Sequence, residues 1–591
     1  LIRVTKQPLL SKWWRLVHPE SSMERPWLTS YDQAVSRTLD VPGIPITHLL
    51  SSAVTERPGG TAIHFLGRAI TYRELGSLVD RLASALHRLG VRRGERVAIV
   101  LPNIPQYVVA HWATLQLGAL VVPTNPLYTE RELAHQLHDS GAETVVILDL
   151  LLPRLQRIRQ HLPIKSVIVA SISDFLPPVL RLLYSMKRLK DRKRLRLSSR
   201  DGLYHFREVL SWGDGLVPQV DLRPEDTAIL LYTGGTTGLA KGAELTHVNL
   251  VANALQARRW VWDIKDGQEV ILTVLPLFHS YAMTACHHLA IQCKSAMVLL
   301  PRFEPMQVIK AIHRYRVTIF PGVPTMYVAI NHHPKANKFD LASVRVCISG
   351  GAPLPVEVQT KFEQLTGGRL VEGYGLSECS PVTHCNPIHG KRKAGSIGLP
   401  WPGTDARVVD LETRRPVPTG QVGELLIRGP QVMKGYWRNP EETAQVLQNG
   451  WLATGDIARM DEEGFFYIVD RKKDMIVTGG LNVYPREVEE VLYEHPCVHE
   501  AAAIGVPDEY YGERVKVYIV PKAGAHLSAD EILRFCQWRL AKFKLPKEIE
   551  FRDALPKSLI GKVLRRELLA EHLAQLSQRS SVGGDHGKEK E

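Results

Sequence analysis

The residues best suited to chemistry gather in 228–249, AILLYTGGTTGLAKGAELTHVN. An apolar run with strand character, Ala228 to Tyr232, feeds a loop holding Thr233, Gly234, Gly235, Thr236, Thr237, Gly238 and Lys241. Glycines let a backbone bend tightly and bring its N–H groups up to an anion. The threonine hydroxyls add neutral donors and Lys241 adds a point charge, a donor set suited to a polyphosphate. It is not a Walker A loop, because Ala240 precedes Lys241 and Gly242 follows it. Taken alone, the loop also fits a Gly/Thr-rich surface turn that binds nothing, so the rest of the chain has to decide.

Further downstream, small and polar residues recur after apolar runs. Pro276, Phe278, His279 and Tyr281 follow the run Ile271 to Leu275, and 321–327, PGVPTMY, follows 317–320. Ser349, Gly350, Gly351, Ala352 and Pro353 follow Val344 to Ile348, and glycines there let a backbone lie flat against a planar base. In Gly373-Tyr374-Gly375-Leu376-Ser377-Glu378 the tyrosine offers a stacking face, the serine a hydroxyl, and the glutamate a hard oxygen ligand for Mg²⁺. Thr454-Gly455-Asp456 presents a carboxylate able to accept two hydroxyl hydrogen bonds. Asp470 to Asp474, DRKKD, is a dense charge cluster, followed by Gly479-Gly480 and, near the end, by Lys562 in LPKSLIGKV. Each has a bland reading singly. A lone histidine after a strand is more often structural, T-G-D is a common turn, and a charge run is usually a solvated face.

Together and in this order, the strings resemble the adenylate-forming (AMP-binding) enzymes, the superfamily of acyl-CoA synthetases, luciferases and adenylation domains. The resemblance covers roughly residues 45 to 570. It implies that Thr233 to Gly238 and Lys241 cradle the phosphates of ATP, and that Gly350, Gly351, Ala352, Tyr374 and Gly375 border adenine. It further implies that Ser377 faces the α-phosphate, Glu378 binds Mg²⁺, Asp456 holds the ribose and Arg471 reaches ATP. His279 is expected beside the acyl carboxylate and the entering thiol, 321–327 along the acyl pocket, and Lys562 as the catalytic lysine. Lys473 matches the hinge about which the C-terminal domain swings, and Gly479 and Gly480 the coenzyme A channel.

These residues need a scaffold that gathers them. Leu75, Leu78, Val79, Leu82, Leu86 and Leu89 recur at helical spacing. Val97 to Leu101 reads as strand, 105–117 as helix, Leu120 to Val122 as strand, 129–139 as helix and Thr144 to Leu148 as strand. This β-α-β rhythm predicts an α/β fold with mostly parallel, helix-covered sheets, whose ligands sit beyond the carboxyl ends of the strands. The remainder reads as a small α+β domain, mobile by the resemblance. The domain expectation is an upstream extension at 1–22 with Met23 as start, a large domain at 23–469, a hinge at 470–473, a small domain at 474–575, and a disordered tail at 576–591.

At 591 residues, 44% hydrophobic and 23% charged, the chain is a multi-domain globular protein and not a disordered one. Its seven cysteines show no C-x-x-C pair and no zinc spacing, which reads as reduced thiols in the cytoplasm. The net charge of +13 concentrates in 181–200, where nine Arg or Lys face one acid, Asp191. With the apolar run Phe175 to Leu183, this insertion at 175–200 suits either a solvated surface or peripheral contact with an anionic membrane. Nucleic acid as a partner is not expected, because no nucleic-acid module accompanies the charge.

The expected activity is ATP-dependent ligation of a long-chain fatty acid to coenzyme A through an acyl-adenylate. The opening at Met23, the basic insertion and the overall spacing are similar to bacterial long-chain ligases, and a homodimer is implied by the resemblance. Medium-chain or aryl acids, or transfer of the acyl group to a carrier protein, are the neighbouring readings. From another class, a non-catalytic membrane-associated nucleotide-binding protein predicts no pyrophosphate release. A light-emitting oxygenase has no positive support in the sequence.

Overall fold

The computed structural model describes residues 24–189, 197–233, 240–478, 481–508, 511–557 and 563–582. The chain divides into two compact units. The first takes residues up to Ala406 with Ile427–Leu452 and Glu463–Phe465; the second takes Arg407–Leu426, Ala453–Glu462 and Phe466 onward.

Two large sheets carry the first unit. In one, the strands Thr227–Thr233, Leu120–Pro123, Arg96–Val100, Thr144–Leu148, Ser166–Ala170 and Leu203–His205 lie side by side and parallel. Two antiparallel strands, Lys241–Thr246 and Gly435–Tyr436, close its other edge. In the other, Arg369–Gly375, Val346–Ser349, Ile319–Gly322, Val270–Thr273, Ala296–Leu299 and Thr61–Phe65 run parallel, with antiparallel strands at both edges. The expected β-α-β rhythm is therefore present, and each expected element from 75 to 148 appears with its ends within a few residues of the expectation.

Local chemistry explains the helices. Tyr72–Arg88 starts where the Thr71 hydroxyl accepts the Glu74 N–H at 3.2 Å, and Leu75, Val79, Leu82 and Leu86 line its buried face. Glu130–Ser140 opens with a capping box of Thr129 and Glu132 and ends at Gly141 in the left-handed region. Pro105–Gln116 begins with proline, and every residue from Pro105 to Leu115 is buried. Such a helix belongs inside the molecule. Its Tyr107 hydroxyl donates to the Leu277 carbonyl at 2.9 Å, two residues before His279.

The second unit contains an independent sheet, ordered Leu481–Val483, Ile476–Thr478, Gly512–Pro521, Val498–Asp508, with Glu548–Phe551 pairing parallel to Gly512–Pro521. The helix Pro485–Tyr493 buries Val488 and Leu492 against it, as their spacing predicts, with Val491 half-buried alongside. Ser528 caps Ala529–Gln537 by accepting the Glu531 N–H at 3.2 Å. One expectation needs correction. Disorder is expected from 576, yet the helix Arg565–Val582 runs past that point. No Gly or Pro interrupts 565–582, and buried Leu568 and His572 seat the helix, so nothing stops it at 576. All seven cysteines are free and six are buried. Among the described residues, no helix is long and apolar enough to cross a membrane.

Candidate active site

Four neighbouring parallel strands end at a shared edge, and each is followed by one of the chemically suggestive strings. Val270–Thr273 leads to His279, Ile319–Gly322 to Tyr327, Val346–Ser349 to Gly350, and Arg369–Gly375 to Glu378. Strand register puts Gly322 opposite Ser349 and Ser349 opposite Glu372, so these strands run in step and Arg369–Gly375 continues three residues further. Carboxyl ends of parallel strands are where an α/β sheet offers a crevice to a ligand. Segments spread over a hundred residues of sequence are thus drawn to one edge.

Contacts between these segments are specific. The Ser280 and Ser377 hydroxyls lie 3.2 Å apart. Tyr281 donates its hydroxyl to the Ile348 carbonyl at 2.7 Å, and Tyr327 donates to the Phe320 and Ile348 carbonyls at 2.8 and 3.1 Å. A Cβ on Gly350 would stand 3.1 Å from the Tyr281 ring, so the absence of a side chain lets the turn lie against it. Gly351 next to it has φ +80°, and Ala352 is half-buried. Tyr374 sits within the strand Arg369–Gly375, its ring 5.9 Å from that of His384. At Gly375 a Cβ would fall 2.2 Å from the Pro381 carbonyl oxygen, a backbone atom that cannot step aside. Glycine is therefore required just before Ser377 and Glu378.

His279 caps the short helix that begins at Ser280. Its Nδ1 accepts the Tyr281 N–H at 3.3 Å. Burial pushes its pKa below the ordinary histidine value, so the ring is neutral near pH 7. A neutral ring whose Nδ1 accepts must carry its proton on Nε2. His279 thus offers a hydrogen-bond donor there.

Glu378 has partners that no motif suggested. The Tyr436 hydroxyl donates to its Oε1 at 2.9 Å, and its carbonyl accepts the Met433 N–H at 2.7 Å. Burial and the Glu378 carboxylate together push the Tyr436 pKa up, so the phenol keeps its proton. Lys241 stands with Nζ 5.7 Å from the centroid of the Tyr436 ring and pairs with Glu442. Thr233 and Lys241 face each other across an antiparallel pair, so the two ends of the loop at 233–241 return on themselves as a hairpin. The string GYWRNPEET at 435–443 was the available signal for Tyr436 and Glu442. Its aromatic and acidic content stands out, but nothing in its spacing points 58 residues back to Glu378.

Asp456 and Arg471 belong to the second unit. They oppose each other on the antiparallel strands Trp451–Met460 and Phe466–Arg471, with Arg471 Nε 3.2 Å from Asp456 Oδ1. Thr454-Gly455-Asp456, which alone reads as a turn, lies inside the strand Trp451–Met460; Gly455 takes φ +70°, and its N–H reaches Glu424 Oε1 at 3.3 Å just ahead of the mostly buried Asp456. Lys473 lies exposed in the turn between Phe466–Arg471 and Ile476–Thr478. The expected hinge at 470–473 falls inside the second unit as compactness draws it. Residues Gly234, Gly235, Thr236, Thr237, Gly238, Gly479, Gly480 and Lys562 lie outside the described residues.

The family model described as AMP-binding enzyme matches residues 50–437, and that of the AMP-binding enzyme C-terminal domain matches 487–562. A Long-chain-fatty-acid–CoA ligase of Bacillus subtilis (strain 168) is 45% identical over 552 residues, 93% of this chain and 98% of that protein. The ATP-bound MatB structure from Rhodopseudomonas palustris superposes with a TM-score of 0.79 at 30% identity, covering 90% of this chain and 99% of that one. The anthranilate CoA ligase AuaEII in complex with anthranoyl-AMP gives 0.78 at 27% identity, covering 91% and 98%. With both family models matched and a relative this similar over nearly its whole length, the chain belongs to the AMP-binding enzyme family.

Proposed function

We propose that the protein joins a long-chain fatty acid to coenzyme A in two steps, through an acyl-adenylate. In the first step a carboxylate oxygen attacks the α-phosphorus of ATP, and the bond to pyrophosphate breaks. In the second the coenzyme A thiolate attacks the acyl carbon, and AMP leaves. The observation that supports this reading is the shared edge of four parallel strands, where the Ser280 hydroxyl, next to His279, lies 3.2 Å from that of Ser377, next to Glu378. The Bacillus subtilis relative supports the long-chain acid.

The residues divide the work by charge. Thr233, Lys241 and the glycines and threonines between them serve the phosphates. Gly350 to Ala352 and Tyr374 serve the base, Asp456 the ribose, and Arg471 ATP. His279, as an Nε2–H donor, orients the carboxylate oxygen and does not deprotonate the thiol. Glu378 fits Mg²⁺: it is a hard carboxylate, half-exposed, and held through one oxygen by Tyr436. A Mg²⁺ ion held there would offset phosphate charge. Lys562 acts in the first step. Lys473 is assigned as the hinge residue, and Gly479 and Gly480 are assigned to the coenzyme A channel of the second step. The reading includes a cytoplasmic location with supply of acid from a membrane surface, and a homodimer testable by sedimentation.

The test is pyrophosphate release with MgATP over acids from acetate to oleate, each with and without coenzyme A. Turnover that requires coenzyme A and peaks between dodecanoate and oleate is expected. A peak with benzoate or short acids keeps the chemistry and overturns the substrate. A second reading, an aryl acid, is favoured by the anthranilate ligase's likeness and is decided by the same panel. No release with any acid overturns the ligase.

A further inference from the structure

Among the described residues, one group of side chains apart from the nucleotide motifs has the makeup of a metal centre. His111, His287 and His288 are fully buried, and each offers a ring nitrogen within 4.8 Å of the others'. His111 comes from the buried helix Pro105–Gln116. His287 and His288 end the stretch Met283–His288, which follows the short helix that His279 caps and is wound as a π-helix. That wider winding is rare and recurs at functional sites. Burial holds all three pKa values below the ordinary histidine value, so the rings are neutral and each keeps a lone pair.

Hydrogen bonds account poorly for three histidines in this place. The Trp112 indole N–H donates to His287 Nε2 at 2.7 Å, which puts the His287 proton on Nδ1. The Nε2 atoms of His111 and His288 are 3.2 Å apart, so one donates to the other. The Nδ1 atoms of all three rings are buried without a partner. As core residues the three carry a desolvation burden that leucines would not.

We propose that His111, His287 and His288 bind a divalent transition-metal ion such as Zn²⁺ through one nitrogen each. Zn²⁺ holds imidazole nitrogens at about 2.0–2.1 Å, so tetrahedral ligands stand roughly 3.4 Å apart. The His111–His288 pair already stands at 3.2 Å, and from 4.8 Å the third nitrogen has to close by roughly 1.4 Å. An all-imidazole set favours Zn²⁺, Cu²⁺ or Ni²⁺ over the hard Mg²⁺ that suits Glu378. Three protein ligands leave a fourth position for a small ligand. The lone pair of His287 is the one the indole occupies, so the metal must displace Trp112. Trp112 has room to move: it also borders a cavity of about 360 Å³ lined by His48, Ser51, Val79, Asp80 and Gln116. His48 is exposed, so the same cavity gives an ion a way in from the surface. A metal held there would tie the segment after His279 to the helix Pro105–Gln116. The site does not depend on the ligase reading.

The experiment takes the untagged full chain, stripped of metal with a chelator and dialysed, without ATP, acid or coenzyme A. It is titrated with Zn²⁺ against a chromophoric chelator, and separately with Co²⁺ while visible absorption is read. One tightly held equivalent of Zn²⁺ and the strong visible band of tetrahedral Co²⁺ are expected. His111→Leu and His288→Leu should each weaken that equivalent roughly hundredfold or more. Trp112→Phe removes the competing N–H and should tighten it by up to about tenfold. Zn²⁺ should raise the melting temperature of wild type and not of the histidine variants. Wild type that holds no equivalent overturns the proposal. So do histidine variants that bind like wild type, since the metal then sits on other histidines. If the leucine variants do not fold, Trp112→Phe decides: binding unchanged or weakened overturns the assignment of His287. No substrate is present, so a failure here leaves the ligase reading to pyrophosphate release.

Discussion

Replacing Tyr436 by phenylalanine removes one hydroxyl and nothing else, which makes it a clean probe of Glu378. The hydroxyl donates to Glu378 Oε1 at 2.9 Å, and both side chains are half-buried. Hydrogen bonds to a charged partner are worth about 1.5–3 kcal/mol, and partial exposure places this one at the low end. A loss of about 1.5 kcal/mol in the orientation of a metal-binding carboxylate corresponds to roughly tenfold in cation affinity. The Tyr436 ring stays in Tyr436→Phe, so the Lys241 ammonium keeps its aromatic neighbour. The assay is the adenylation half-reaction, read as pyrophosphate release at saturating acid and ATP, titrated with Mg²⁺. The half-activating Mg²⁺ concentration should rise roughly tenfold while the rate at saturating Mg²⁺ recovers most of its wild-type value. An unchanged Mg²⁺ requirement with a depressed maximal rate would refute the reasoning, because Tyr436 would then serve the reacting phosphate and not the carboxylate. Because the Tyr436 pKa is pushed up, the phenol remains a donor through mild alkali, and the difference between the two proteins should not close as pH rises.

Three further outcomes follow from other parts of the molecule. Lys562→Ala should lose the adenylation step and keep much of the thioester step when acyl-AMP is supplied; equal loss in both half-reactions excludes the assigned role. His279→Asn, which retains a donor, should keep more activity than His279→Ala, by roughly tenfold. Since burial holds the His279 pKa below its ordinary value, the wild-type acid limb should show no inflection at the ordinary histidine pKa from this residue. In the small domain, Arg565 meets Glu489 at 2.7 Å and Asp474 at 3.1 Å, and Arg565→Gln should cost about 3 kcal/mol in urea unfolding near neutral pH by stranding a buried carboxylate. Burial already raises the Glu489 pKa and Arg565 opposes that rise. A carboxyl with a raised folded pKa contributes stability in acid that is lost as pH rises through that value. The penalty of Arg565→Gln should therefore shrink on acidification toward the ordinary carboxylate range; a penalty that grows in acid contradicts the assignment.

What could be read from residues alone depended on the range of the interaction. Elements fixed by local pattern were legible: the 3.6-residue recurrence from Leu75 to Leu86 gave the helix Tyr72–Arg88, and the apolar run Thr144 to Leu148 gave a strand with the same bounds. Motif order was legible too, because several of the site strings follow strands that signal themselves by apolar, β-branched residues, as His279 follows Val270–Thr273 and Gly350 follows Val346–Ser349. Partners that arrive from a distant strand were not. Tyr436 reaches Glu378 only because Gly435–Tyr436 pairs with Lys241–Thr246, and that pairing is a property of the sheet and not of any window of sequence. The Arg565–Glu489 pair is similar: 76 residues separate them, and each looks like an ordinary helix charge until the fold buries Glu489 and half-buries Arg565 against it. The helix Pro178–Leu189, whose apolar stripe Val179, Leu182, Leu183 and Met186 lies exposed, is the opposite case. Its spacing was plain in the sequence and its direction was not, since amphipathic periodicity says that one face is apolar without saying what it meets. The core lies on the side of Phe175 and Phe206, and this alone turns Val179, Leu182, Leu183 and Met186 toward whatever surrounds the protein.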